Sequence, residues 1–239
     1  MRATRGVVLA GGSGSRLFPL TKTTNKHLLP VGDVPLVYHP IRRLVEAGRD
    51  ELLVVTGAHH VGAIVSQLGS GAEFGCRFTY KVQDRAGGIA EALGLAEDFA
   101  DGLPIAVVLG DNVFGCALAP HLEAWAQSGK GSMILVKEVG DPERFGVAHF
   151  EAGRLVGIYE KPQSPPSRFA VTGVYFYDAG VYDIIRTLTP SARGELEISE
   201  VNSRYLLDDN LHWAEMSGEW SDAGTHESYR RANNMVDRI

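Results

Sequence analysis

Cysteine is almost missing from this chain: Cys76 and Cys116 are the two in 239 residues, and they form no Cys-x-x-Cys pair. That excludes a disulfide framework and a thiolate zinc site, and it suits a reducing compartment. No apolar run approaches the ~20 residues that a membrane-spanning helix needs. The opening MRATRGVVLAGG meets glycine after about five apolar positions, too few for the core of a secretory leader. A soluble, cytoplasmic protein with no membrane partner is expected. Excess positive charge is lacking too: Lys and Arg total 23 against 29 Asp and Glu, for a formal net charge of −6. No basic run stands out either, so the electrostatic footprint of a nucleic-acid-binding surface is absent. The eight histidines show no metal-ligand spacing, which leaves His59-His60 as a helix start, and no Gly-x-Ser-x-Gly elbow marks a serine hydrolase.

What is there fits an ordinary globular protein. The length corresponds to between one and two domains at roughly 150 residues each. Hydrophobic residues make 44% of the chain and charged residues 22%, the usage of a globular core with a solvated surface. Glycine is in excess, 28 residues against the ~7% norm, without a collagen-like period, so tight turns or close backbone–ligand contacts are implied. Compact apolar runs at 6–10, 52–55, 77–82 and 105–109 read as strands. Between them, helical spacing covers Ile41, Leu44 and Val45 before Gly48, then 60–68 and 89–99. This alternation predicts right-handed crossovers and a parallel sheet. Further on, 132–137, 146–150, 155–159 and 173–177 are strand-like, 179–188 and 197–207 helical, and QSPPS at 163–167 a loop. One α/β domain is expected: a Rossmann-like, mostly parallel mixed sheet flanked by helices, with a strand-rich second half.

The sharpest motif follows the first strand: LAGGSGSRL, residues 9–17. Glycines after a parallel strand let backbone N–H groups approach phosphate oxygens, although a simple tight turn explains them equally well. The turn lacks the Gly-Lys-Ser/Thr ending of a P-loop, and Leu17 occupies the place of the third glycine in a dinucleotide fingerprint. Asp33 lies in a loop, not at the end of the second strand near Val55-Thr56, which disfavours a dinucleotide-dependent oxidoreductase. Arg16 closes the turn and Lys26 follows ten residues later. Two cations flanking a glycine turn suit a triphosphate losing pyrophosphate; the plain alternative is two solvated surface charges. Gly110-Asp111-Asn112 ends the fourth strand, where Asp111 can hold Mg²⁺ or cap a helix. Asp222, far downstream, is a second candidate carboxylate or a cap for the final helix. Glu160-Lys161 could bind sugar hydroxyls and a phosphate, or form an exposed ion pair. Glu195 and Glu197 have the look of a helix start and mostly structural roles.

In order along the chain, LAGGSGSRLFPLT, KHLLPVG, GDN, DPERFGV, EKP, AVTGVYFYD, PSARGELEI and DAGTH closely resemble the sugar nucleotidyltransferases, and within them the glucose-1-phosphate thymidylyltransferases. The resemblance runs from about Gly6 to about Asn233. It implies Mg²⁺-dependent transfer from dTTP to α-D-glucose 1-phosphate, giving dTDP-glucose and pyrophosphate, a product that feeds deoxysugars such as rhamnose. It divides the chain into a nucleotide-binding half, about 1–112, and a sugar-phosphate-binding half, about 113–239. By motif, Leu9, Ala10 and Gly11 would line the nucleotide pocket, Gly14 and Ser15 would meet the phosphates, and Arg16 and Lys26 the triphosphate. Gln83 and Gly88 would read the base, and Asp111 and Asp222 would hold the metal. Asn112, Gly146, Glu160 and Val171 would contact the sugar, and Lys161 its phosphate. Arg16, Lys26, Asp111, Lys161 and Asp222 form the implied catalytic set. A homo-oligomer, dimer or tetramer, is common in the family.

Two departures bear on the base: His27 stands where many relatives have glutamine, and 84–87 differs from the familiar segment. The chain also ends about a dozen residues past His226, where longer relatives continue with further helices. Another nucleoside triphosphate or sugar 1-phosphate is the nearest alternative. A silent module that senses nucleotide-sugars is the alternative outside enzymes, and its mark would be loss of the catalytic set, all of which is present.

Overall fold

The computed structural model describes residues 4–12 and 14–236; Ser13, inside the glycine-rich turn, lies outside them. Strand β1 (Arg5–Ala10) leads through a small hairpin, β2 (Pro30–Val31) and β3 (Val34–Pro35), into helix α1 (Tyr38–Glu46). Then follow β4 (Glu51–Gly57), α2 (Val61–Leu68), β5 (Arg77–Gln83), α3 (Ile89–Gly94), α4 (Glu97–Ala100), β6 (Ile105–Leu109) and β7 (Val113–Phe114). The second half runs α5 (Ala119–Ser128), β8 (Ser132–Glu138), β9 (Gly146–Glu151), β10 (Arg154–Glu160), β11 (Phe169–Tyr177), α6 (Val181–Thr187) and α7 (Ile198–Leu207). It closes with β12 (Leu211–Glu215), β13 (Trp220–Ser221) and α8 (His226–Val236).

The main sheet has the order β10-β9-β11-β6-β1-β4-β5, with β8 beside β11 and β12 beside β8. Strand β1 is parallel to both neighbours, Val7 lying opposite Leu53 and Val107. Of the nine strands, seven run one way, and β10 and β11 run against them. The chain builds outward from β1 first through β4 and β5, then through β6. A crevice therefore opens beyond the carboxyl ends of β1 and β6, where ligands bind in such sheets.

Both sheet faces are covered, which is why the parallel strands read as continuous apolar runs. Val7 and Leu9 face one core with Leu93, Ala96, Ala100, Ile185, Val201 and Tyr205 from α3, α4, α6 and α7 and the chain between them. Val8 and Ala10 face the other with Ile41, Leu44, Ile64, Leu68, Leu122 and Trp125 from α1, α2 and α5. Helix α8 closes a third cluster, Ala232 and Met235 against Val31, Leu36 and Val113. Truncating a fully buried leucine such as Leu93 to alanine removes on the order of 2–5 kcal/mol of stability.

The expected strands at 6–10, 52–55, 77–82 and 105–109 all form, within one or two residues. The expected helix over 89–99 is in fact two, α3 ending at Gly94 and α4 resuming at Glu97. Ala90, Leu93, Ala96 and Ala100 keep to one buried face, so the apolar spacing continues across a break that it does not reveal. Strand β11 starts at Phe169, four residues before the expected run, and β12 lies outside the expected strands, pairing in parallel with β8. Both cysteines are buried and unpaired with each other. Among the described residues, no helix is long and apolar enough to cross a membrane.

Candidate active site

The crevice beyond β1 and β6 is a cleft of about 570 Å³. Leu9, Gly11, Arg16, Lys26, Gln83, Gly88, Asp111, Asn112, Gly146, Glu160, Lys161, Val171 and Asp222 all line it. Ala10, Gly14 and Ser15 do not. The Ala10 side chain belongs to the core on the opposite sheet face. Gly14 sits at φ 63° with its carbonyl oxygen accepting from the Thr21 hydroxyl at 2.7 Å, and Ser15 opens the 3₁₀ turn Ser15–Leu17.

Two cation–carboxylate pairs line the cleft. Lys26 begins a 3₁₀ turn, Lys26–Leu28, whose N-cap is Asn25; the Asn25 side chain accepts from the His27 backbone N–H at 2.8 Å. The Lys26 ammonium donates to Asp111 Oδ2 at 2.5 Å, and Asn112 donates its amide to Asp111 Oδ1 at 3.0 Å. Asn112 is itself locked, its Oδ1 accepting from the Trp220 indole at 2.6 Å and the Gly173 backbone at 3.3 Å. Asp111 therefore engages a cation, not the backbone N–H groups that a helix cap would take. Burial alone would raise its pKa, but Lys26 and the Asn112 amide together hold it below the usual carboxylate value. His27 is pushed down from 6.5 to about 3, by burial first and then by the Lys26 charge, so it is neutral at pH 7.

Asp222 mirrors this arrangement. Its Oδ2 accepts from Arg144 at 2.8 Å, while the other arm of that guanidinium binds Asp141 at 2.6 Å. The guanidinium carbon also lies 4.9 Å from the centre of the Phe145 ring. Capping of α8 falls to Thr225 and not to Asp222: Thr225 and Ser228 exchange side chain–backbone hydrogen bonds at 3.0 and 3.2 Å. Arg16 approaches the same loop, since a Cβ placed on Gly224 would lie 3.4 Å from its guanidinium and 2.9 Å from Asp222 Oδ2.

The cleft carries a second charged group. Glu160 contacts Lys161 and Arg193, each at 3.2 Å, and Arg193 reaches both oxygens of Glu197 at 2.8 Å. The Glu160–Lys161 ion pair does form, but in the wall of the cleft. A Cβ on Gly146 would sit 3.5 Å from Glu160 Oε2, an ordinary contact distance, so the two are neighbours in the cleft wall. Also in the lining, the Gln83 amide donates to the Gly88 carbonyl at 3.2 Å. Gly88 adopts φ 101°, and a Cβ there would fall 2.4 Å from the Leu196 carbonyl oxygen, so only glycine fits.

Arg144, Tyr175, Arg193, Glu195, Ser199, Asn202 and Trp220 also line the cleft without having been candidates for binding or catalysis. DPERFGV, AVTGVYFYD and PSARGELEI contain four of them, yet nothing local points from Arg144 to a carboxylate 78 residues away. Among the described residues, no group of three or more His, Cys, Asp or Glu gathers to form a metal cage. Asp111 and Asp222 both line the cleft and are the residues that could hold Mg²⁺, a cation that takes one or two protein oxygens and completes its shell with phosphate and water.

Residues 5–238 match the family model described as nucleotidyl transferase. A glucose-1-phosphate thymidylyltransferase of Xanthomonas campestris pv. campestris is 42% identical over 100% of this chain and 82% of its own length. A Bacillus anthracis crystal structure, provisionally assigned as a glucose-1-phosphate thymidylyltransferase and bound to a sucrose, is 51% identical with a TM-score of 0.95, covering 99% of this chain and 96% of that one. A UDP-glucose pyrophosphorylase complexed with UDP-glucose shares the fold, at 24% identity and a TM-score of 0.87 over 98% of each chain.

Proposed function

The chain belongs to the nucleotidyl transferase family, and from that membership we propose that it transfers the nucleotidyl group of dTTP to α-D-glucose 1-phosphate, forming dTDP-glucose and pyrophosphate. The observation that carries this reading is that two charged groups line one cleft. Arg16, Lys26, Asp111 and Asp222 make up one, and Glu160, Lys161 and Arg193 the other. A triphosphate and a sugar phosphate need charged partners of this kind, brought together in one place.

A sugar phosphate has its second pKa near 6 and is largely dianionic at neutral pH, so its oxygen attacks without a general base. The work left to the protein is alignment and charge. Lys161 would hold the attacking phosphate while Glu160 accepts from sugar hydroxyls. Arg16 and Lys26 would draw the β- and γ-phosphates away from the α-phosphorus and receive the charge that builds as pyrophosphate departs. Asn112, fixed by Trp220 and Gly173, keeps Asp111 oriented for this step. Asp111 and Asp222 would hold Mg²⁺, which supplies Lewis-acid neutralisation of the phosphate oxygens. Gln83 and Gly88 would read the base edge.

The test is pyrophosphate release, measured with each nucleoside triphosphate against a panel of sugar 1-phosphates. The highest kcat/KM is expected for dTTP with glucose 1-phosphate. Absence of pyrophosphate with every pair would refute nucleotidyl transfer altogether.

A further inference from the structure

Glu91 sits in the first turns of α3, outside every motif singled out above, and both of its carboxylate oxygens are engaged. Oε1 accepts from the Gln83 amide at 3.0 Å, and Oε2 accepts two N–H groups of Arg85 at 3.1 and 2.9 Å. Gln83, buried at 8% exposure, gives its other amide proton to the Gly88 carbonyl at 3.2 Å. Both protons of this amide therefore go to groups that only accept, since an ionised carboxylate and a carbonyl have no proton to return. Turning the amide over would set its oxygen against two other acceptors. Gln83 Oε1 is left at the cleft wall beside Gly11, 3.2 Å from where a Cβ on that glycine would stand.

We infer that Glu91 is a positioning residue that sets base specificity: by fixing the Gln83 amide, it makes the cleft present a hydrogen-bond acceptor to the incoming base. This rests on the nucleotidyl-transfer reading above and narrows it. An acceptor suits thymine and uracil, whose ring N3 carries a proton. It opposes cytosine and adenine, whose corresponding ring nitrogens are bare acceptors. Two acceptors facing each other without a proton are the kind of mismatch that a desolvated site rejects strongly. The 5-methyl group and the sugar 2′ position are outside the reach of this device, so UTP passes it as dTTP does. Arg85, 82% exposed, binds the outer carboxylate oxygen and keeps Glu91 turned inward.

The test compares kcat/KM for dTTP with that for dCTP, at fixed glucose 1-phosphate, in the wild type, Glu91→Gln and Glu91→Lys. Glutamine can accept or donate and lysine can only donate, so Gln83 is first released and then drawn to turn over. The dTTP/dCTP ratio is expected to fall about fivefold in Glu91→Gln and more than about tenfold in Glu91→Lys, with the dTTP KM moving more than kcat and UTP following dTTP. A purely structural role would depress dTTP and dCTP together; a ratio within about twofold of wild type in both variants overturns the inference. A wild-type protein that turns over no triphosphate would sink the reaction itself, a failure visible before any variant is made.

Discussion

Lys26 and Asp111 meet at 2.5 Å, joining the turn after β1 to the end of β6 across 85 residues of chain. Both side chains are only 13% exposed, so neither charge is left to water and each depends on the other. The pair links fold and chemistry: the contact that ties the two segments together also holds a carboxylate in the cleft wall. Asp111→Asn keeps the shape and removes the charge. Turnover is expected to fall about 10²–10³-fold while circular dichroism reports a folded protein. Retention of more than about half the activity would reject the role given to Asp111.

Arg144 bridges Asp141 and Asp222 with the two arms of one guanidinium. Lysine carries the same charge as a single point and cannot span both carboxylates. Arg144→Lys is therefore expected to lower kcat/KM on the order of tenfold to a hundredfold, through a displaced Asp222. Wild-type kinetics in this variant would mean that the bridge is not needed to place Asp222.

Gly88 and Gly153 provide a matched pair. Both have positive φ, 101° and 79°, but a Cβ on Gly88 would strike the Leu196 carbonyl at 2.4 Å, whereas Gly153 has nothing within 4 Å. Gly153→Ala is expected to cost about 1 kcal/mol of backbone strain, and Gly88→Ala at least about 2 kcal/mol, with a raised KM for dTTP as α3 shifts. Thermal denaturation checks the order, and equal losses would contradict it.

Much of the fold was legible because a buried parallel strand needs a compact β-branched run, and GVVLA and IAVVL have no other good use. Strand β12 was not legible, because Leu211, His212, Trp213, Ala214 and Glu215 are all at least partly exposed. Its strand character comes from pairing with β8. Helix α5 escaped for a related reason, burying only Leu122 and Trp125. In the site, residues inside ordered motifs could be named one by one, and most of them reach the cleft wall. What the motifs could not convey was who pairs with whom. Lys26 with Asp111 and Arg144 with Asp222 are contacts made by the sheet, not by neighbours in sequence. Ala10 shows the opposite case, a motif residue whose side chain the strand's alternation turns into the other core.

His27 predicts a pH signature. Its pKa falls from 6.5 to about 3 on folding, so between those values the unfolded chain binds a proton that the native protein refuses. Stability is then full above about pH 6.5 and declines as the pH drops through that window, by up to about 1.4 kcal/mol per pH unit from this residue. His27→Gln is expected to flatten the melting temperature against pH between about 6.5 and 4 relative to the wild type. Parallel curves would show that the ring is not held neutral.

The most direct measurement follows a radiolabel from dTTP in the presence of glucose 1-phosphate and Mg²⁺. Label at the α-phosphorus is expected to appear in dTDP-glucose, and label at the γ-phosphorus in pyrophosphate. Release of γ-label as orthophosphate, or α-label that never reaches a sugar nucleotide, would contradict transfer at the α-phosphorus and the roles assigned to the charged residues of the cleft.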